Sequence, residues 1–327
     1  RVKWRHWLLL VLLLLVVVAG HRANGATRWI MLAGFSLQPS EVAKVTGLIW
    51  AASFLAKRIR KGEKITLVKR FFRPAFHFAD RKKKENTFRS MIGYFLPLYG
   101  PLVMALFVLK QPDMGTAGMI LLFPLLLYVL AGLPLFEILL GVGGAIVTFA
   151  ILVIAEPYRM DRVVVLWDPF SYAANRGYQT VQSLIAVGSG GLFGQSVGEG
   201  MSKFLYLPEQ YTDFAYAVFS QEFGFIGSVF VLLLYLVFLL AGFSAARKLK
   251  ETYAALLVYG LTMLISVQGI VNIAMVIGCF PVTGIPLPFI SYGGSSLLMN
   301  IISVALIYGT TVQLSLIHIS EPTRHLR

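Results

Sequence analysis

Between Tyr206 and Gly227 the chain reads YLPEQYTDFAYAVFSQEFGFIG, with carboxylates at Glu209 and Asp213 where a long apolar run begins and a third, Glu222, inside that run. A charge at the centre of a bilayer costs roughly 2.5–3.5 kcal/mol on insertion scales, so carboxylates kept at such a place are candidates for chemistry. The chemistry such carboxylates suit is proton transfer at a membrane surface, with Asp213 and Glu209 as the candidates. The alternative is purely structural. Thr212 and Asp213 are both good helix caps, and an acid suits the positive end of a helix dipole.

Two further acidic positions carry the same double reading. Glu41 and Lys44 in QPSEVAK are spaced to share one helix face. They are either an ion pair that neutralises itself on insertion or an acid and a cation placed in a site. Asp113 in QPDMGT follows a proline and precedes Gly115 and Thr116, the setting of a turn and helix cap.

The elements that must position these residues are membrane helices. The chain has 327 residues, 57% of them hydrophobic and only 13% charged, and its apolar runs are helix-length rather than alternating. This excludes a soluble domain and a β-barrel and predicts an all-α, polytopic helix bundle. About eight spans are expected: Trp7–Gly20, Pro39–Ala56, Ser90–Lys110, Ala117–Leu133, Glu137–Ala155, Asp213–Ala245, Tyr253–Ile277 and Tyr292–Val312. They form one transmembrane domain over residues 1–314, with a basic loop at 57–89 and a long Gly-rich, polar segment at 156–211. Arg1–His6 run straight into the first span without an initiator Met, so the chain reads as starting inside a longer protein. Ser315–Arg327 resembles translated adaptor or vector sequence and is read as a non-native tail.

The net charge of +14 is gathered in short loops, where it sets topology rather than binding nucleic acid. Arg1–His6, Lys57–Arg89 and Arg247–Lys250 fall on one side by alternation, the cytoplasm. The polar motifs NGATRW, QPSE, QPDMGT, Glu156–Tyr211 with Asp213, and PLPFISYGG fall on the other. Irregular backbone facing lipid is not tolerated at membrane depth, so these stretches are expected to line one protein-enclosed cavity on the extracytoplasmic face. Arg28, Arg159, Arg162 and Arg176 lie on that same side, where cations are normally sparse. Arginine suits bidentate phosphate binding, so an anionic ligand is expected there, with Lys44, Arg162, Arg28 and Arg159 as its candidate contacts.

Other motifs are weaker. Gly188–Gly194 superficially resembles a dinucleotide fingerprint but has no strand or βαβ unit before it, and reads as re-entrant or interfacial backbone. Trp167-Asp168-Pro169-Phe170 reads as a turn with an interfacial aromatic. The five His are scattered, and the single Cys279 excludes an intrachain disulfide. There is no zinc-type cluster, nucleophile elbow or P-loop, which counts against a metalloprotease, a serine hydrolase or an ATPase.

NGATRWI, GFSLQPSEVAK, QPDMGTA, DPF with GYQTVQS, YLPEQYTDF, and PLPFISYGGSS, in this order from Asn24 to Ser296, closely resemble the SEDS family of shape, elongation, division and sporulation proteins, FtsW, RodA and SpoVE among them. YLPE and PYRMDR lean towards the division branch. The family has ten spans, so those here correspond to its third to tenth. It usually carries His where this chain has Tyr211. The resemblance implies a peptidoglycan glycosyltransferase of the bacterial cytoplasmic membrane that polymerises lipid II, with Asp213 as base. Lys44, Arg162, Arg28 and Arg159 would hold the donor diphosphate. Glu41, Asp113, Glu209, Gln179, Ser291, Tyr292 and Gly293 would support the cavity. It implies a class B penicillin-binding protein transpeptidase as partner, along with other divisome or elongasome membrane proteins. A divalent cation is the one cofactor candidate. A transporter or flippase of a lipid-linked cell-wall precursor is the rival reading. It calls for inverted repeats and midplane charges, neither of which is evident.

Overall fold

A computed structural model describes residues 21–23, 26–32, 35–63, 65, 98–111, 113–196, 198 and 207–320. The expected span at Trp7–Gly20, most of the basic loop and the last seven residues of the expected tail lie outside the described residues. Among the described residues the architecture is helical but for one small sheet. Strands β1 (His21–Ala23), β2 (Ala26–Leu32) and β3 (Phe35–Leu37) pair antiparallel in sequence order, a feature the polar, Gly-containing composition of this segment did not announce.

The helices follow the expected spans closely: α1 (Pro39–Arg60), α2 (Leu98–Leu109), α3 (Met114–Leu130), α4 (Leu135–Ile154), α7 (Ala215–Arg247), α8 (Thr252–Val276) and α9 (Gly294–Ser320). Pro39 stands in the first turn of α1, where its missing N–H costs nothing, and Glu41 beside it faces the positive end of the dipole. The long segment after α4 is more ordered than its composition suggested. It holds α5 (Pro157–Trp167), a 3₁₀ turn at Phe170–Tyr172 and α6 (Tyr178–Ser189). Between α5 and that turn, Asp168 accepts the Ser171 hydroxyl at 2.6 Å and its amide at 3.2 Å, and the two bonds hold the carboxyl below the usual carboxylate range.

Four of these helices, α4, α7, α8 and the Gly294–Val312 part of α9, are long and apolar enough to cross a bilayer. In α8, 72% of the apolar window is buried, against 11% in α4, so α8 is the axis of the bundle and α4 its rim. On α4, Leu139, Ile146 and Ile154 are 63–71% exposed, a surface that only lipid can cover cheaply. The core forms where α1, α3 and α8 meet, around Leu48, Leu55, Phe123, Leu127 and Leu261, and continues between α7 and α8 around Phe214, Ala217, Ile265 and Met275.

Helix α7 is interrupted at Gly224, whose φ of 65° and ψ of −165° belong to no helix. A break at membrane depth frees backbone groups that must find partners inside the protein. The turn after α6 supplies them. Phe225 N donates to Gly191 O at 2.8 Å and Ile226 N to Leu192 O at 3.2 Å, while Gln221 O accepts Gln195 N at 3.0 Å. The Gly188–Gly194 motif is thus a backbone plug for a broken helix. Its glycines admit the close approach: a Cβ on Gly194 would lie 1.9 Å from Glu222 O.

Candidate functional site

Helices α1 and α8 run antiparallel, and their contact at one end is pinned by the exposed Arg60–Glu251 pair at 2.6 Å. The basic residues of the described helix ends, Arg58, Arg60 and Arg247, gather at this end. At the other end the polar motifs meet. Ser295 at the start of α9 accepts the Gln38 amide at 2.9 Å and donates to Ser36 O at 2.9 Å, which ties β3 and the start of α1 to α9.

One turn into α1, Glu41 and Lys44 form a buried ion pair at 2.8 Å. The Lys44 ammonium also donates to Gln268 Oε1 on α8 at 2.8 Å. Gln268 Nε2 in turn donates to Pro286 O at 3.0 Å. The ion-pair reading of these two residues is therefore correct as geometry, but the pair is also wired to the loop between α8 and α9.

Asp213 lies on the other side of that loop. It does not begin a helix by capping it: α7 starts at Ala215 behind Phe214, without a side-chain cap. Asp213 instead belongs to a turn in which Thr212 donates its hydroxyl to the Glu209 carboxylate at 2.8 Å, so Glu209 is engaged locally and exposed. The turn is fastened at three successive carbonyls, two to the 277–293 loop and one to α8. Tyr292 N donates to Tyr211 O at 2.7 Å, the Ser291 hydroxyl donates to Thr212 O, and Asn272 Nδ2 donates to Asp213 O at 2.8 Å. Asn272 Nδ2 also donates to Ile285 O at 2.7 Å. The Asp213 carboxylate, half-buried, faces Gly284: Oδ2 is 3.5 Å from where a Cβ would stand. Gly284 has φ +71°, so a side chain there is disfavoured by the backbone rather than by lack of space. The departure at Tyr211 is tolerated because the contact is made by its carbonyl, while its side chain is exposed.

Gln268 and Asn272 are the residues that sequence reading missed. They stand four apart, hence on one face of α8, and bond the neighbouring carbonyls Pro286 and Ile285. Two amides at helical spacing inside an apolar span were the available signal.

The remaining candidates divide. Asp113 is the N-cap of α3, its Oδ1 accepting Thr116 N at 3.0 Å, as the capping reading had it. Beside it Gly115 abuts the site loop, since a Cβ there would lie 2.5 Å from Thr283 O. Arg162 on α5 donates to Val282 O, two residues before Gly284. Arg159 donates to Leu152 O at 2.9 Å in the last turn of α4, and Arg176 pairs with Asp161. The side chain of Arg28, on β2, lies outside the described residues. Gln179 is half-buried on α6, one turn before Ser183, which donates to Val276 O at 2.8 Å. Tyr292 is exposed, and Gly293 leads directly into α9. Among the described residues no three His, Cys, Asp or Glu gather as metal ligands.

The arrangement thus offers a half-buried carboxylate, a buried lysine and an arginine around one loop at one end of a membrane bundle. A family described as cell cycle proteins, comprising FtsW, RodA and SpoVE, matches residues 2–315. A probable peptidoglycan glycosyltransferase FtsW of Aliivibrio salmonicida is 35% identical over 331 residues, covering 98% of this chain and 76% of that protein. Stage V sporulation protein E of Bacillus subtilis is 36% identical over 316 residues, covering 93% and 78%. Among solved structures, RodA of Thermus thermophilus superposes with a TM-score of 0.59 at 27% identity, over 92% of this chain and 74% of that one. A chain of a peptidoglycan synthase complex, solved to explain how polymerization and crosslinking are coordinated, superposes with a TM-score of 0.70 at 26% identity, over 94% and 80%.

Proposed function

This chain belongs to the FtsW/RodA/SpoVE family of cell cycle proteins, and on that premise we propose that it is a peptidoglycan glycosyltransferase polymerising lipid II, with Asp213 as its base. The observation that carries the reading is the joining of Asp213, in the turn before α7, and Lys44, on α1, to one loop through Asn272 and Gln268. A hydroxyl of the acceptor sugar attacks the anomeric carbon of the donor, and Asp213 takes its proton. The bond from that carbon to the diphosphate oxygen breaks, and undecaprenyl diphosphate leaves. Charge develops on the leaving diphosphate, and preorganised cations stabilise it best in a site shielded from water. Lys44 and Arg162 are the candidates for this role. Among the described residues Glu41 and Gln268 take two of the three Lys44 donors, so a phosphate oxygen can add to the ammonium without breaking either bond.

Purified protein given lipid II tests the reading. Glycan polymer is the expected product. Translocation without polymer supports the flippase alternative, and neither product removes both.

We place the site on the extracytoplasmic face of the bacterial cytoplasmic membrane, because it lies at the end of the bundle opposite Arg58, Arg60 and Arg247 and positive residues favour the cytoplasm. The exposed Cys279 lies in the site loop, so the native chain should react with an impermeant maleimide in intact cells. Lys250→Cys in a Cys279→Ser background should react only after permeabilisation. The reverse pattern overturns the orientation. The likeness to a chain of a peptidoglycan synthase complex supports a crosslinking transpeptidase of the class B penicillin-binding type as partner, which co-purification of the two proteins tests.

A further inference from the structure

Asn272 is fully buried in α8, the best-packed helix of the bundle. Its Nδ2 has two hydrogens, and both are used: one holds the carbonyl of Asp213 at 2.8 Å and the other that of Ile285 at 2.7 Å. Ile285 follows Gly284, the residue that faces the Asp213 carboxylate. A single planar amide on a rigid helix therefore fixes both walls of the gap into which that carboxylate projects. Asn272 Oδ1 has no hydrogen-bond partner among the described residues. An apolar side chain at this depth avoids that uncompensated oxygen, so the amide is kept at a cost and its role needs an account. The loop itself does not depend on Asn272 for attachment. Ser291 and Tyr292 hold Thr212 and Tyr211, and Tyr235 donates its hydroxyl to Pro288 O at 2.6 Å. What Asn272 adds is a direct tie between Asp213 itself and the residue after Gly284.

We infer that Asn272 is a positioning residue, setting the distance and direction of the Asp213 carboxylate relative to the acceptor hydroxyl. The inference rests on the assignment of Asp213 as base. Misplacing a catalytic group by 1 Å costs on the order of 10²-fold in rate, while substrate binding through other groups is left alone. The expected result, with full-length protein and lipid II, is that Asn272→Leu lowers kcat by about 10²-fold and leaves KM within about twofold. Asn272→Ser, which keeps one donor, falls between Leu and native and carries the test should the Leu protein fail to accumulate. In a double variant, Asn272→Leu adds no further loss to Asp213→Asn, because a residue that acts through Asp213 has nothing left to position. A native kcat in either single variant, a loss confined to KM, or losses that multiply in the double variant overturns the inference. The two readings fail separately. An active Asp213→Asn protein removes the base assignment, whereas an inactive one beside a fully active Asn272→Leu protein removes only the role of Asn272.

Discussion

Asp213→Asn is expected to leave a protein that inserts, folds and binds lipid II but polymerises it about 10²–10⁴-fold more slowly, the range a positioned general base contributes. The substitution keeps the shape of the side chain and the backbone carbonyl held by Asn272. It removes the negative charge and with it the ability to accept a proton. Loss of a cap cannot explain the result, because α7 starts behind Phe214 and draws no side-chain cap from Asp213. Asp113→Asn is the matched control. Asp113 does cap a helix, Asn caps as well as Asp, and that protein should retain near-native activity and stability. The comparison is read in one assay, as initial rates of glycan formation at saturating lipid II. An Asp213→Asn rate within about threefold of native would falsify the assignment, since a general base is worth far more than that. A loss at Asp113→Asn equal to that at Asp213→Asn shows that the end of the bundle is sensitive to any lost carboxylate.

The second large effect is expected at Lys44. Lys44→Met takes the partner from a carboxylate buried beside α8, and breaking a buried pair on one side costs about 3–5 kcal/mol because the remaining charge is uncompensated. The protein in detergent should melt well below native. Removing both charges is different: replacing a buried pair by apolar or neutral groups is often neutral for stability. Glu41→Gln with Lys44→Met should therefore recover most of the lost melting temperature. Activity should not recover with it if the ammonium contacts the leaving diphosphate. Melting temperature and glycan synthesis, measured on the single and double variants, separate the two roles. Recovery of both in the double variant shows that the pair serves only the fold and that the diphosphate is held by other cations, Arg162 first.

The membrane class and the places of the described long helices were legible in the sequence because lipid leaves the backbone few choices: each long apolar run must satisfy its own hydrogen bonds as a helix. The gathering of QPSE, QPDMGT and PLPFISYGG on one side also followed from alternation alone, and Glu41, Asp113 and Ser291 do stand at one end of the bundle. The three short strands at 21–37 did not follow, since strand pairing there depends on partners rather than on a repeating apolar pattern. Nor did the division of labour between two Asp residues with similar turn contexts. Asp113 caps α3 while Asp213 is turned towards Gly284, a choice made by where the first helical residue falls. Gln268 and Asn272 stand out only where the rotation of α8 against α1 and the loop at 277–293 gives them Lys44, Pro286, Asp213 and Ile285 as partners. Helical spacing in the sequence fixes which side chains share a face. Which groups that face meets depends on how each helix is rotated against its neighbours, and only the packed bundle decides that.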